Sequence, residues 1–353
     1  MVFFIILLVV LVAILLKYHP TFGGNLQIKN NYELEYFNKG QFVNSSNVSE
    51  VRGFLKGLKI FWKFIKNNTQ TMPETFIKSK NINIDDIKKN TAIWFGHSSI
   101  FLQLDAENIL IDPVFNKYAA PFPYIGKKRF SEVPDFLNKI AFFDNVIISH
   151  DHYDHLDKKT IDIIQNRVGM FIVPLGVKNH LVRWGVNENK IQEMEWWESI
   201  DIADGKIICT PSQHFSGRAL KDRNKSLWAS WVIQSKYNIF FSSDSGYNSH
   251  FKEIGDKYGP FDLAFIEAGQ YNDSWKDIHM LPEESVQVAI DLNTKTFMPI
   301  HWGAFTLAMH PWNDSPKRIS ETSENKKQSF FIPQIGEIFS IEDPIVKNSF
   351  WWK

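Results

Sequence analysis

The sequence predicts a mixed α/β body built on buried strands. The apolar run Phe142-Phe143-Asp144-Asn145-Val146-Ile147-Ile148 has the length and composition of a buried strand. Three further apolar runs, within 206–210, 238–243 and 296–300, likewise break off at polar residues and turns. Hydrophobic residues make up 44% of the 353, ample for a core that buries such strands.

From the N-terminus, Val2 to Leu16 is uninterrupted hydrocarbon, slightly shorter than the ~17–25 residues of a spanning helix, with Lys17 and Tyr18 placed to snorkel. It has no basic leader, no small-residue cleavage site and no following cysteine to carry lipid. The expectation is an uncleaved transmembrane or signal-anchor segment over 1–17. Lys17 and Lys29 place the body in the cytoplasm by the positive-inside rule, with the periplasm as the other placement.

Residues 18–89 read as a tether. Within it, Arg52, Lys56, Lys59, Lys63 and Lys66 recur at helical spacing opposite Val51, Phe54, Leu55, Leu58, Phe61, Trp62 and Ile65. Such a helix either lies in a headgroup plane or packs its apolar face on the body. The main domain then runs over 90–345. Residues 90–104 and 108–115 read as two strands, with His97 as a packed or ligand-orienting histidine and Asp112 as a carboxylate placed to orient a ligand histidine. The loop 118–130 carries Lys127-Lys128-Arg129, either a rim for an anionic head group or a solvated loop.

The run 142–148 delivers the chain into Ser149-His150-Asp151-His152-Tyr153-Asp154-His155-Leu156-Asp157. Neutral imidazole and carboxylate are the ligands of Zn²⁺ and similar ions. His150 and His152 point the same way in an extended or turning backbone, and Asp154 and His155 lie past the turn, within reach of a second ion. The design recurs at Thr210-Pro-Ser-Gln-His214, at Ser243-Asp244-Ser-Gly246 and at Ile300-His301-Trp-Gly303. Functional side chains gather where strands end. The count is His150, His152 and His214 for one ion, and Asp154, His155 and His301 for the other. Asp244 is able to bridge, and room is left for a bridging water, which between two ions becomes hydroxide near neutral pH. The chemistry implied is hydrolysis.

Lys+Arg and Asp+Glu both number 39, so no overall field draws the chain to nucleic acid. The single cysteine, Cys209, excludes an internal disulfide and reads as a core residue.

His150-Asp-His152-Tyr-Asp154-His155 resembles the signature loop of the metallo-β-lactamase superfamily. Trp94-Phe-Gly-His97, Trp196-Trp-Glu198, Thr210-Pro-Ser-Gln-His214, Asp244-Ser-Gly-Tyr247, Gly259-Pro-Phe-Asp-Leu263, His279-Met-Leu-Pro-Glu-Glu284 and Ile300-His-Trp-Gly303 are similar, in the same order, to the N-acyl-phosphatidylethanolamine-hydrolysing phospholipase D family within it. The resemblance covers roughly residues 90 to 310. It implies an αββα four-layer sandwich, two Zn²⁺ ions per chain held by the residues counted above, and hydrolysis of an N-acylated phosphatidylethanolamine to N-acylethanolamine and phosphatidic acid. Asp154 would bind metal and steer the proton of the attacking water. His279 matches a family histidine close to the metals, with a capping or packing role as its alternative. Tyr124 follows the family's substrate-side loop, while Pro123 departs from it by taking a polar position. Tyr153 and Tyr247 complete the substrate-side candidates.

The expected partners are a membrane phospholipid, the lipid bilayer and a second copy of the chain. Two other readings use the same residues: a lactonase or other phosphodiesterase on this scaffold, and a non-catalytic membrane protein that keeps the metals for structure.

Overall fold

The computed structural model describes residues 4, 7, 19–24, 34–46, 48, 54–67, 69–105, 107–123, 126–219, 221–344 and 350–353. A short hairpin, β1 (Phe37–Asn38) and β2 (Gln41–Phe42), and helix α1 (Phe54–Lys66) precede the first large sheet. That sheet contains β3 (Thr91–Trp94), β4 (Ile100–Leu104), β5 (Glu107–Ile111), β6 (Phe143–Ile147), β7 (Val168–Pro174) and β8 (Ile191–Met194). Between them lie α2 (Lys158–Ile164) and α3 (Lys178–Arg183). The second sheet holds β9 (Ser199–Ile202), β10 (Gly205–Thr210), β11 (Ser230–Gln234), β12 (Asn238–Phe241), β13 (Phe261–Glu267) and β14 (Thr294–Ile300). Helices α4 (His250–Tyr258), α5 (Pro282–Asp291) and α6 (Asp314–Lys326) accompany it, and β15 (Ile338–Ser340) returns to the edge of the first sheet beside β3.

Alternation along the strands sorts the side chains into layers. Ala92, Trp94, Ile109, Ile111 and Ile147 of the first sheet face Ile207, Cys209, Phe241, Phe265 and Ile300 of the second in the central core. The alternate residues Ile93, Phe101, Leu110 and Val146 pack against Ile161, Ile164 and Leu181 of α2 and α3. On the far side, Val232, Phe240, Ala264 and Phe297 meet Phe251, Ile254, Val286 and Ile319 of α4 to α6. The layers are therefore helices, sheet, sheet, helices, as expected, and Cys209 is a buried core thiol.

Strand direction is what builds a site from this sandwich. β12, β13 and β14 are parallel, and β10 runs the same way because β11 is antiparallel to both of its neighbours. β5 and β6 are parallel in the other sheet. Parallel strands deliver their C-terminal ends to one edge, where loop residues can converge.

Three expectations need correction. Among the described residues no helix is long and apolar enough to cross a membrane, which overturns the anchor and the localisation drawn from it. The physical reason is length. The run Val2–Leu16 gives roughly 22 Å of helix against a hydrocarbon core of about 30 Å. Most of 1–17 lies outside the described residues; the following segment clips to the body through Trp184 Nε1 to Pro20 O at 2.7 Å. Residues 90–104 form two strands rather than one, because Gly96 and His97 take positive φ (82° and 57°) and turn the chain back. Arg129 belongs to no rim: it is fully buried, donating from Nη1 to Val114 O and from Nη2 to Phe95 O.

The C-terminal aromatics close the inner core. Trp351 stacks on Trp302 at 5.3 Å between centroids, and Trp352 is buried. Trp352→Ala is expected to cost about 3–5 kcal/mol of stability; an unchanged denaturant midpoint would show that the tail is a passive cover.

Candidate metal centre

The converging loops place His150 Nε2 2.9 Å from His152 Nδ1, which is 3.2 Å from His214 Nε2. Asp244 Oδ2 faces this group at 3.6 Å from His214 Nε2 and 3.9 Å from His150 Nε2. Its other oxygen, Oδ1, lies 3.1 Å from both His155 Nε2 and His301 Nδ1. Asp154 Oδ2 completes the second group, 3.3 Å from His301 Nε2 and 3.6 Å from His155 Nε2. All seven residues counted from the sequence thus meet at one edge of the sandwich, with Asp244 between two clusters.

Nδ1 of His150, His155, His214 and His301 faces a specific acceptor, which sets the tautomer where the ring is neutral. His150 Nδ1 lies 3.0 Å from Ser149 Oγ, and Ser149 in turn donates to Asp112 Oδ2 at 2.5 Å. His155 Nδ1 is 2.7 Å from Asp112 Oδ2, so Asp112 takes the orienting place anticipated for it. His214 Nδ1 faces Ile278 O at 3.1 Å, and His301 Nδ1 faces Glu267 Oε1 at 3.0 Å. In the neutral rings of His150 and His214 this keeps the proton on Nδ1 and leaves Nε2 as a lone-pair donor toward the centre.

Burial lowers the pKa of His152, and holds His150 and His214 well below the ordinary histidine range; the neutral form is the ligand form. In the second cluster burial also opposes charge on His301, but Asp244, Asp154 and Glu267 outweigh it and raise the ring to about 10. Burial alone would favour the acid form of Asp244, yet the facing His155 and His301 hold its carboxylate well below the usual range.

Divalent ions fit this donor set. Three imidazole nitrogens about 3 Å apart offer too few protons to satisfy one another. Two buried atoms aimed at the centre, His155 Nε2 and Asp244 Oδ1, lack a hydrogen-bond partner among the described residues. A cation between them removes both defects. Nitrogen and carboxylate donors in sets of three or four are what zinc and its neighbours take.

Around the centre, several non-glycine residues take left-handed backbone: Asp112 (φ 41°), His97 (57°), Ser243 (57°), Gln270 (61°) and His301 (67°). Such conformations cost of order 1–3 kcal/mol each and persist only where the surroundings over-determine them. At His97 and His301 they are fixed by backbone bonds between the sheets, His97 N to Trp302 O at 2.8 Å and His301 N to His97 O at 2.9 Å.

Sequence reading left Glu267 and Asp151 unassigned. Glu267 is fully buried at the end of β13, where its Oε2 accepts from Ser245 N at 2.6 Å and its Oε1 bonds His279 Nδ1 and faces His301. The signal was there: Phe261 to Glu267 is an apolar run ending in a carboxylate, followed by Ala268-Gly269. His97, left as a packed or orienting histidine, is buried with Nε2 2.8 Å from Asp154 Oδ2. Asp151 accepts from Gly217 N at 2.7 Å and Ser226 Oγ at 2.8 Å and lies 3.2 Å from His180 Nε2; it ties the ligand loop to the loop 216–226.

A cavity of about 380 Å³ opens onto the centre. His152, Asp154, Asp244, His279 and His301 form its floor, and Ile60, Phe215, Trp275, Ile278 and Leu307 form an apolar wall, with Arg223 and Gln270 at the side. Of the tyrosines expected on the substrate side, Tyr153 donates to Arg218 O at 2.8 Å with the Arg218 guanidinium over its ring, outside the cavity lining. Tyr247 is exposed and donates to Asp291, also away from the cavity. Tyr124 lies outside the described residues.

Residues 107–302 match the Beta-lactamase superfamily domain. An uncharacterised protein of Mycobacterium tuberculosis is 36% identical over 328 residues, covering 90% of this chain and 87% of its own. The N-acyl-phosphatidylethanolamine-hydrolyzing phospholipase D 1 of Caenorhabditis elegans is 33% identical over 285 residues, covering 74% of this chain and 80% of its own. Among solved structures, Igni18, a metallo hydrolase of Ignicoccus hospitalis, superposes with a TM-score of 0.55 at 20% identity, over 70% of this chain and 96% of its own.

Replacing Asp112 by alanine leaves every ligand in place but frees His155 and Ser149. Metal affinity, measured by competition with a chromogenic chelator, is expected to fall about 10–100-fold. Unchanged affinity would mean that packing alone orients the ring.

Proposed function

The chain belongs to the metallo-β-lactamase superfamily, and on that premise we propose that it is a two-zinc phosphodiesterase that hydrolyses N-acyl-phosphatidylethanolamine, releasing N-acylethanolamine and phosphatidic acid. The observation that carries this reading is the division of the cavity. A floor of metal-type ligands suits a phosphate, and an apolar wall at its side suits an acyl chain. The name of the Caenorhabditis elegans relative supports the same substrate.

His150, His152 and His214 would hold one ion, Asp154, His155 and His301 the other, and Asp244 would reach both. Bound there, zinc supplies Lewis-acid activation of water and neutralisation of phosphate charge. The chain's own groups do the rest. Asp154, whose Oδ2 is held by His97 Nε2, lines the cavity and would orient the attacking water's proton. Glu267 accepts the Nδ1 proton of His279, so the opposite edge of that ring faces the cavity. Carrying a second proton on Nε2, His279 would pass it to the departing alkoxide oxygen as the P–O bond breaks, and the proton released by the attacking water would restore it. Ile60, Trp275 and Leu307 keep bulk water from the apolar side.

Helix α1 borders the cavity. Ile60 lines the cavity and the Phe64 ring stacks on Trp275 at 6.4 Å, while Leu58 and Trp62 are exposed beside exposed Lys59, Lys63 and Lys66. One helix thus offers an apolar contact to the site and a basic, aromatic face to a bilayer surface that carries the substrate. Of its other apolar residues, the side chains of Phe54, Leu55, Phe61 and Ile65 lie outside the described residues.

The test combines metal analysis with turnover of N-acyl-phosphatidylethanolamine vesicles. Wild type is expected to carry two equivalents of zinc and to release N-acylethanolamine, and His150→Ala and Asp244→Asn to lose activity together with metal. Activity retained in both variants sinks the proposal, and turnover of a lactone panel alone redirects it to another ester. His279→Gln is expected to keep its metal while kcat falls about 10²–10⁴-fold; loss of metal in that variant would make the ring structural.

A further inference from the structure

We infer that Asn44, in the segment ahead of α1, is a positioning residue for the metal ligand His214, an inference that rests on reading the two clusters as ion sites. Asn44 follows β2 and is 170 residues from His214 along the chain. Its Nδ2 donates to His214 O at 2.8 Å, and its Oδ1 accepts from His214 N at 3.1 Å. One carboxamide thus pairs with both backbone groups of a ligand residue, as a neighbouring strand would.

His214 needs that partner because of where it lies. β10 ends at Thr210, and Pro211, which has no N–H, cannot extend the ladder. His214 is buried in a stretch that is neither helix nor strand. Among the described residues its backbone N–H and carbonyl bond to no group but Asn44. Buried backbone groups left without partners are costly, so a chain that loses this amide relaxes by moving His214. Other ligands are tied elsewhere: His155 N donates to His152 O at 3.1 Å within the ligand loop, and His301 N to His97 O at 2.9 Å between the sheets.

The clamp is itself fixed. Phe42 is buried in the central core, and its N donates to Asn224 O at 2.8 Å. Asn44 Oδ1 also accepts from Trp228 Nε1 at 3.1 Å, and the fully buried Trp228 shares that proton with Ser212 O at 3.0 Å. Next along the segment, Ser46 Oγ donates to Gln213 Oε1 at 2.5 Å, and Gln213 Nε2 donates to Asp277 O at 2.7 Å. The following residue, Ile278, offers the carbonyl that faces His214 Nδ1. The ligand is therefore held by its backbone from one side and by its ring from the other. The ring bond aims Nε2 at the centre only while the backbone stays in place.

The effect falls on one ion. His214 stands with His150 and His152, whereas Asp154, His155 and His301 make the second group. Removing the Asn44 amide releases His214 alone, so one ion is weakened and the other spared. A residue that only stabilised the fold would weaken both.

The full chain is stripped of metal and titrated with zinc against a chromogenic chelator. Asn44→Ala is expected to lower the affinity of one of the two equivalents about 10–100-fold and to leave the other unchanged. In a His301→Ala background the substitution keeps that effect; in a His214→Ala background it has none, since the ligand it positions is gone. Unchanged affinities, or equal weakening of both equivalents, overturn the inference, as does an undiminished effect without His214.

If wild type takes up fewer than two equivalents, the two-ion reading has failed, and the clamp is read on the metal-free chain by diethyl pyrocarbonate labelling with peptide mass mapping. His214 is then expected to label about tenfold faster in Asn44→Ala than in wild type, with the rate at His155 unchanged. Equal rates at His214, or a matching rise at His155, overturn the inference by this route.

Discussion

Donor atoms of like character are held within about 3 Å of one another in the protein interior, and the rest of the structure answers to that constraint. His150 Nε2, His152 Nδ1 and His214 Nε2 converge without enough protons to bond one another, and Asp154 and Asp244 sit beside them. Buried polar groups without partners cost several kcal/mol, and buried charges cost more. Two devices keep the arrangement in place. Burial holds the first three histidines neutral, and the carboxylates of the second cluster draw protons onto His155 and His301. Both are the responses expected of a site built around cations, whose charge would replace those protons on binding.

The convergence depends on the two sheets being locked at their shared edge. β13 and β14 end in register, with Glu267 opposite Ile300, so Glu267 and His301 leave their strands side by side. β5 and β6 pair Ile111 with Ile147, which brings Asp112 next to Ser149. His97 then bridges the sheets through Trp302. Left-handed backbone at Asp112, His97 and His301 turns each side chain inward at the point where a regular strand would carry it past. The strain is sustained by the central core behind it, where Trp94, Trp302 and Trp352 are buried.

The ligand positions were legible because each follows an apolar run, and a rigid strand end is where chemistry-bearing side chains collect. The same rule would have found Glu267, but a single carboxylate after β13 carries no His-x-His pattern to draw notice. His97 was harder to read. A histidine inside a run that looks like one strand gives no sign that the chain reverses there. Arg129 shows the limit of charge patterning: next to Lys127 and Lys128 it reads as a basic cluster, yet carbonyl oxygens from Phe95 and Val114 draw it fully inside. Periodicity revealed the two faces of α1 but not what either one meets, since that depends on long-range packing. For the apolar N-terminal run, composition outweighed length in the reading, and length decides whether a helix can span.

The cavity divides its labour along the chain's architecture. Its floor comes from the ends of strands in both sheets, rigid and over-determined. Its side and mouth come from Ile60 of α1, Trp275 of the loop after β13 and Arg223 of the loop after β10. These groups sit on segments joined to the scaffold by a few bonds each, such as Gly217 N to Asp151 and Gln41 to Arg223 O. Changing them alters what reaches the floor without disturbing the strand ends that hold it.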